Sequence, residues 1–269
     1  MSPQIQWVDT HAHLDDSRLK NRIDEVLAAA RNAGVVQVVA VATTAEDSAS
    51  VLDMSRHHGG VHPAVGIHPN EAGEARPGDW QLIGELARDP RVVALGETGL
   101  DRYWNRVPFD VQQDYFDRHL ILAAELDLPV IIHCRDCHRD IVNQLERQGR
   151  SIHGVLHSFT GSLSDAQEIL ELGLHVSFAG MLTFANKTLD PLREAASWVP
   201  IDRLLVETDA PYLSPHPFRG KTNEPARVAC TAAKLAEIRG ISLQELADAT
   251  TANARRLFRL PKILPSMPT

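Results

Sequence analysis

Eight short apolar runs, recurring roughly every 20 to 40 residues, constrain this chain more than any other feature. They are IQWVDTHAH (5–13), VVQVVAVA (35–42), HPAVGIH (62–68), VVALGE (92–97), PVIIHC (129–134), HGVLHSF (153–159), LHVSFAG (174–180) and RLLVETD (203–209). Each is long enough for a strand, and near-continuous apolarity suits parallel strands covered on both faces. Helical periodicity fills the gaps. DSRLKNRIDEVLAAARNAG ends on Gly34, VQQDYFDRHLILAAELDL spaces its apolar residues by three and four, and SLSDAQEILELG opens on a capping serine. Eight such units predict an α/β fold, a TIM-like (β/α)8 barrel. The alternative is an open doubly wound sheet, but no G-x-G-x-x-G follows an early strand. Residues 224–258 read as two helices split at Arg239-Gly240. Residues 1–260 are expected to form one barrel domain, and 261–269, with three prolines, a loose tail.

The ionisable residues gather at the C-terminal ends of these runs. His11 and His13 end the first, His68 the third, Glu97 the fourth, His133 the fifth, His157 the sixth and Asp209 the eighth. In a barrel all these ends open on one face, where active sites are built. Side chains two apart share a face, so Asp9, His11 and His13 are expected together, as are Leu95 with Glu97, Ile131 with His133, and Leu205 with Glu207 and Asp209. Six donors exceed the needs of one four-coordinate ion with an open position. They suit two divalent ions bridged by a carboxylate. No lysine ends a strand to serve as a carboxylated bridge, so Glu97 takes that place. His11, His13 and Asp209 would complete one ion, and His133 with His157 the other. Asp209 is also placed to take a proton from water acidified by the ions. His68 is expected to contact substrate, and Asp9 and Glu207 to orient ligands from behind.

One competing pattern lies in the fifth run: Cys134-x-x-Cys137-His138 spells a haem-attachment or redox motif. Three cysteines are too few for a disulfide framework, and no second C-x-x-C completes a structural zinc site. Parity turns Cys134 towards the helix layer and leaves His133 as the chemical residue. His62 and His153 begin strands and are expected to be structural. His175 is expected in mid-strand and His119 within a helix.

With these residues in place, the chain resembles the TatD-like metal-dependent deoxyribonucleases. The resemblance rests on VDTHAHLDD, GIHP (66–69), GETGLDRYW (96–104), PVIIHCRD (129–136), HSFTGS (157–162), ETDAPYLSPHPFRGKTNEP (207–225) and NARRLF (253–258), in order along nearly the whole chain. It implies a TIM-like barrel that cuts phosphodiester bonds, with 3′-to-5′ exonuclease character on single-stranded DNA or RNA. It implies the metal ligands His11, His13, Glu97, His133, His157 and Asp209, a scissile-phosphate contact from His68, and substrate contacts from Arg219 and Asn223. Tyr103 and Arg135 stand as pocket-lining or simply exposed loop residues. Four imidazoles suit Zn²⁺ or Mn²⁺ by ligand type, whereas the resemblance implies Mg²⁺.

Composition bounds the partners. With 27 basic and 35 acidic residues the formal charge is −8, which argues against a basic face gripping long duplex DNA. Nucleic acid would be handled locally, with the metals supplying the missing positive charge. No run of about 18 apolar residues and no leader pattern is readable, so a cytoplasmic protein with no membrane contact is expected, and no feature marks an obligatory protein partner. Two other readings keep the same residues. One is a metal-dependent amide or ester hydrolase, including one acting on aminoacyl-tRNA. The other is a catalytically idle barrel that binds or scaffolds.

Overall fold

The computed structural model describes residues 5–149 and 152–262. Eight strands form one sheet in chain order: β1 (Trp7–Ala12), β2 (Val35–Val41), β3 (Val61–Val65), β4 (Ala94–Asp101), β5 (Val130–Arg135), β6 (Gly154–Leu156), β7 (His175–Phe178) and β8 (Leu204–Val206). Every neighbouring pair is parallel. The sheet curls back on itself where Ala12 bridges Ala210 in parallel. There the Asp209 N–H donates to the His11 carbonyl (2.9 Å) and the His13 N–H to the Ala210 carbonyl (2.7 Å). The result is a nearly closed (β/α)8 barrel. A nearly closed barrel leaves few free edges, and its closing seam joins the first and last ligand-bearing segments.

Local chemistry places the helices where the periodicity does. Thr44 caps Ala45–His57 by accepting the Asp47 N–H. Ser162 and Asp165 form a reciprocal capping box on Leu163–Glu171. Gly240, with φ 64°, ends Val228–Arg239 in the left-handed conformation that glycine adopts without penalty. The first predicted helix is interrupted, as Ser17–Lys20 and Ile23–Asn32. His175 starts its strand rather than sitting within it. Among the described residues no helix is long and apolar enough to cross a membrane. Of the expected tail, 263–269 lies outside the described residues, while the Pro261 carbonyl accepts a hydrogen bond from Gln37 Nε2 at 3.1 Å.

The core has two layers. Inside the barrel, Val8, Val39, Val41, Ala64, Ala94, Ile131, Val155 and Leu205 pack together, floored by Ala254, Leu257, Phe258 and Leu260. The larger layer, between strands and helices, takes the alternate residues, including Trp7, Leu95, Val130, Ile132, Leu156 and Val206. Simple alternation holds for β5 and for the segment from Leu205 onward, but it fails in β1 and β4. Val8 is interior and Leu95 exterior, so unbroken alternation would turn His11 and Glu97 outward. Register irregularities between Asp9 and Ala12, and between Leu95 and Thr98, reset the parity just before each ligand. The expected face-sharing of Leu95 with Glu97, and of Asp9 with His11, is corrected accordingly.

Candidate metal centre

Glu97 stands at the middle of the barrel mouth, buried, with a different set of imidazoles at each oxygen. Oε2 lies 3.3 Å from His11 Nε2 and 3.4 Å from His13 Nε2. Oε1 lies 2.9 Å from His133 Nδ1, 2.8 Å from His157 Nε2 and 3.3 Å from His68 Nε2. Asp209 Oδ1 closes the first set, 3.5 Å from His13 Nε2 and 3.8 Å from His11 Nε2. All six expected ligands, and His68, therefore meet in one place. Most sit at or just past strand ends, where the backbone leaves the sheet and the side chain can turn inward.

Hydrogen bonds at the far nitrogens decide what each ring offers the centre. His13 Nδ1 faces the Val41 carbonyl at 2.9 Å, and a carbonyl can only accept, so Nδ1 carries a proton and Nε2 is the nitrogen left to coordinate. His157 Nδ1 faces Glu207 Oε1 at 3.3 Å, with the same consequence. His133 is turned the other way: Nε2 faces Asp101 Oδ2 at 3.0 Å, leaving Nδ1 free to coordinate. His68 differs. Its Nδ1 accepts the Asn70 N–H at 3.0 Å, so the neutral ring carries its proton on Nε2 and points a donor at the centre. Sequence position alone cannot distinguish a lone pair from an N–H; the turn at His68–Asn70 does.

Charge is balanced around the shared carboxylate. Burial opposes ionisation of Glu97, yet His157, His68 and His11 hold it well below the ordinary carboxylate range. Burial also opposes a charge on His157, but Glu97 and Glu207 push it well above the usual imidazole value. Asp209 is held low, against its burial, by its hydrogen bond with His13 and the charges of His11 and His157. His11 goes down through burial and the neighbouring His157.

The donors fit divalent cations. His11 Nε2 and His13 Nε2 are 3.2 Å apart, and the His11 and His157 rings stack with centroids at 3.9 Å. His11 Nδ1 and Glu207 Oε2 are buried without hydrogen-bond partners. Lone pairs brought this close in a desolvated site need protons or cations between them, and this set offers a divalent cation several nitrogen and oxygen donors. Three donor groups have ligand atoms within 4.8 Å of one another: His11, His13 and Glu97; His68, Glu97 and His133; and His11, His157 and Glu207.

Around the ligands the structure corrects several expectations. Asp9 does not reach an imidazole ring. Its Oδ1 accepts the Thr208 N–H (2.8 Å) and its Oδ2 the Thr208 hydroxyl (2.6 Å), which ties β1 to the segment carrying Asp209. Burial pushes its carboxyl up to about 8, against the Thr208 bonds. Glu207 Oε1 faces His157 Nδ1 and also accepts the Ser158 N–H at 2.8 Å. Asn223 is not exposed to substrate. It is 0% exposed, and Nδ2 donates to the carbonyls of Thr208 and Tyr212 while Oδ1 accepts the Glu224 N–H. Its amide is consumed in holding the loop after β8. Arg219 is exposed and stacks on the Phe184 ring at 3.6 Å. Asp101 went unrecognised in the sequence. It lies four residues beyond Glu97, with the same parity on the same strand, inside a motif already prominent. It orients His133 and accepts the Tyr103 and Trp104 N–H groups at 2.8 Å. Cys137 precedes the helix His138–Gln148, donates its S–H to the Leu100 carbonyl at 3.0 Å, and lies 3.8 Å from Cys134 Sγ. Its hydrogen bond with Cys134, together with burial, pushes the Cys137 thiol far up.

A barrel with converging imidazoles and carboxylates at its C-terminal mouth defines a metal-dependent hydrolase. Residues 8–259 match the TatD related DNase family model. The chain belongs to that family. It is 42% identical over 257 residues to the metal-dependent hydrolase YcfH of Escherichia coli K12, covering 94% of this chain and 96% of that one. It is 39% identical over 255 residues to the 3′-5′ ssDNA/RNA exonuclease TatD of Klebsiella pneumoniae, covering 93% and 97%. The crystal structure of YJJV, a TatD homologue from E. coli K12, superposes with a TM-score of 0.89 at 33% identity, covering 95% of this chain and 98% of that one.

Proposed function

We propose that the protein is a deoxyribonuclease that shortens single-stranded DNA from its 3′ end and extends this activity to RNA. The observation that carries the reading is the sharing of Glu97, whose two oxygens face separate sets of imidazole nitrogens. His11, His13, Asp209 and Glu97 would hold one divalent cation, and His133, His157 and Glu97 a second. Such a pair, when bound, supplies Lewis acidity to a phosphodiester and to the attacking water.

The chain's own residues do the rest. Asp209 stays ionised in its buried position and is the base that takes the water's proton. His68 directs its Nε2–H at the centre and is suited to donate to a phosphate oxygen as charge builds there. Asp101 and Glu207 hold His133 and His157 in the tautomers that coordination needs. Arg219, exposed on the loop after β8, is the remaining candidate for a backbone phosphate contact. The 3′-to-5′ polarity and the single-stranded preference rest on the resemblance to the Klebsiella relative.

The test uses metal-stripped protein and end-labelled single-stranded DNA, with Mg²⁺, Mn²⁺ or Zn²⁺ added back in turn. Asp209→Ala protein controls for contaminating nuclease. Stepwise shortening from the 3′ end, dependent on a metal and on Asp209, is expected. Metal binding without cleavage of DNA or RNA would instead favour an amide or ester substrate, for which the same centre would polarise a carbonyl.

A further inference from the structure

Six large apolar side chains are prominently exposed among the described residues, and three of them, all aromatic, flank the metal centre. Tyr103 (53% exposed) and Trp104 (41%) follow β4, and their rings meet edge to face at 4.9 Å. Their backbone N–H groups hang on Asp101 Oδ1, whose other oxygen faces His133. Tyr212 (49% exposed) follows Asp209, donates its N–H to the Asp209 carbonyl at 2.8 Å, and sets its ring 5.9 Å from that of His13. His133 and His13 face opposite oxygens of Glu97. The two aromatic patches are thus tied to opposite halves of the centre.

Each patch carries a guanidinium. Arg135 lies 3.8 Å over the Tyr103 ring and Arg106 4.7 Å over Trp104. Arg18, oriented by Asp16, lies 4.7 Å over Tyr212. Arg18 is ion-paired with Asp16 and Arg102, nearby, with Asp140, but Arg135 and Arg106 are in no ion pair among the described residues. On a chain of net charge −8, Arg135 and Arg106 are local positive sites beside exposed π-faces, and Arg18 adds a planar guanidinium at Tyr212.

We infer that the Tyr103–Trp104–Arg135 patch and the Tyr212–Arg18 patch are base-stacking subsites for unpaired nucleobases on either side of the bond to be cut. The inference deepens the nuclease reading and rests on it. Aromatic faces beside arginines bind single strands with little sequence preference, because every base offers a π-face. A paired base has both faces covered by its neighbours. Such subsites therefore select single-stranded ends without the broad basic surface that the composition lacks.

The test compares two fluorescein-labelled single strands: an oligothymidylate of about eight nucleotides, and the same backbone with abasic sites at the four terminal positions. The metal-loaded wild type should show a KM about tenfold or more lower for the base-bearing strand. In Tyr103→Ala/Trp104→Ala and in Tyr212→Ala the two KM values should converge, and Phe at the same positions should restore the difference. Equal KM values in the wild type, or discrimination that survives the Ala variants, would overturn the inference. Should neither strand be cleaved, the nuclease reading fails, and fluorescence anisotropy of the same strands becomes the readout. Base-dependent binding lost in the Ala variants would then support stacking by itself. Base-independent binding, or none, would overturn it.

Discussion

At His68 a single backbone hydrogen bond separates two roles that look alike in sequence. The Asn70 N–H occupies Nδ1, so the ring reaches Glu97 with a donor. His157, in contact with the same carboxylate oxygen, donates its Nδ1–H to Glu207 and so has Nε2 left to offer a cation once its second proton is displaced. The two should therefore fail differently. His68→Ala should keep its metal content and lose turnover by roughly a hundredfold or more, the scale expected when one donor to a developing negative charge is removed. His157→Ala should lose metal as well as turnover. Metal analysis of the purified variants alongside kinetics checks both, and loss of metal in His68→Ala would make His68 a ligand. The cysteines sit at the other extreme. Cys134→Ala and Cys137→Ala should leave turnover within a few-fold of wild type, since one thiol lies against the helix layer and the other donates to a carbonyl. A large kinetic loss in a folded Cys variant would contradict that assignment.

At the level of elements, β4 does most of the positioning. It carries Glu97 and Asp101 at the same parity, and between them Gly99 pairs with His133 of β5. Gly99 has φ 133°, and a Cβ there would lie 2.1 Å from the His133 carbonyl oxygen. Gly99→Ala should therefore cost at least about 2 kcal/mol of stability and weaken metal binding by displacing His133. Denaturant unfolding and metal titration of the same variant measure the two effects. Metal affinity unchanged in a destabilised variant would separate the glycine from the site. The β3 end is positioned from outside the barrel. His119, in the helix Phe109–Leu126, accepts the Ile67 N–H on Nε2 (3.0 Å) and donates from Nδ1 to the Tyr115 carbonyl (2.6 Å). It holds the residue next to His68 without touching the centre.

For the molecule as a whole, buried neutral histidines set how stability responds to acid. Burial lowers His62, His119 and His175 to about 4, from an ordinary value near 6.5. Between those values the unfolded chain takes up protons that the folded chain refuses, so stability rises with pH through this window. Above about 6.5 none of the three is charged in either state and the dependence ends. For His119, with both nitrogens committed, the full effect is roughly 3 kcal/mol. Metal-free wild type should lose stability from pH 6.5 to 4 more steeply than His119→Gln, by about that amount. Parallel pH profiles in urea unfolding would place the burden elsewhere. His62 and His175 begin strands β3 and β7 near the barrel's N-terminal end, where conservation of the fold rather than chemistry is at stake.

The strand count, the barrel and the gathering of ligands at one mouth were legible in the sequence, because apolar runs and strand ends are properties of consecutive residues. So was the choice of His133 over its cysteine neighbours, which follows from parity in a regular strand. Parity misled where the strand is irregular: Asp9 and Leu95 were assigned faces that the register shifts in β1 and β4 reverse. Asp101 and Asn223 show the other boundary. One faces the ring of His133, 32 residues away, and the other spends its amide on carbonyls 11 and 15 residues away. By itself the sequence determined which side chains come to the mouth of the barrel. Only the tertiary structure decided which nitrogen each imidazole turns to the centre and which polar residues stay behind as support, because both depend on hydrogen-bond partners that are distant along the chain and become neighbours only when the barrel closes.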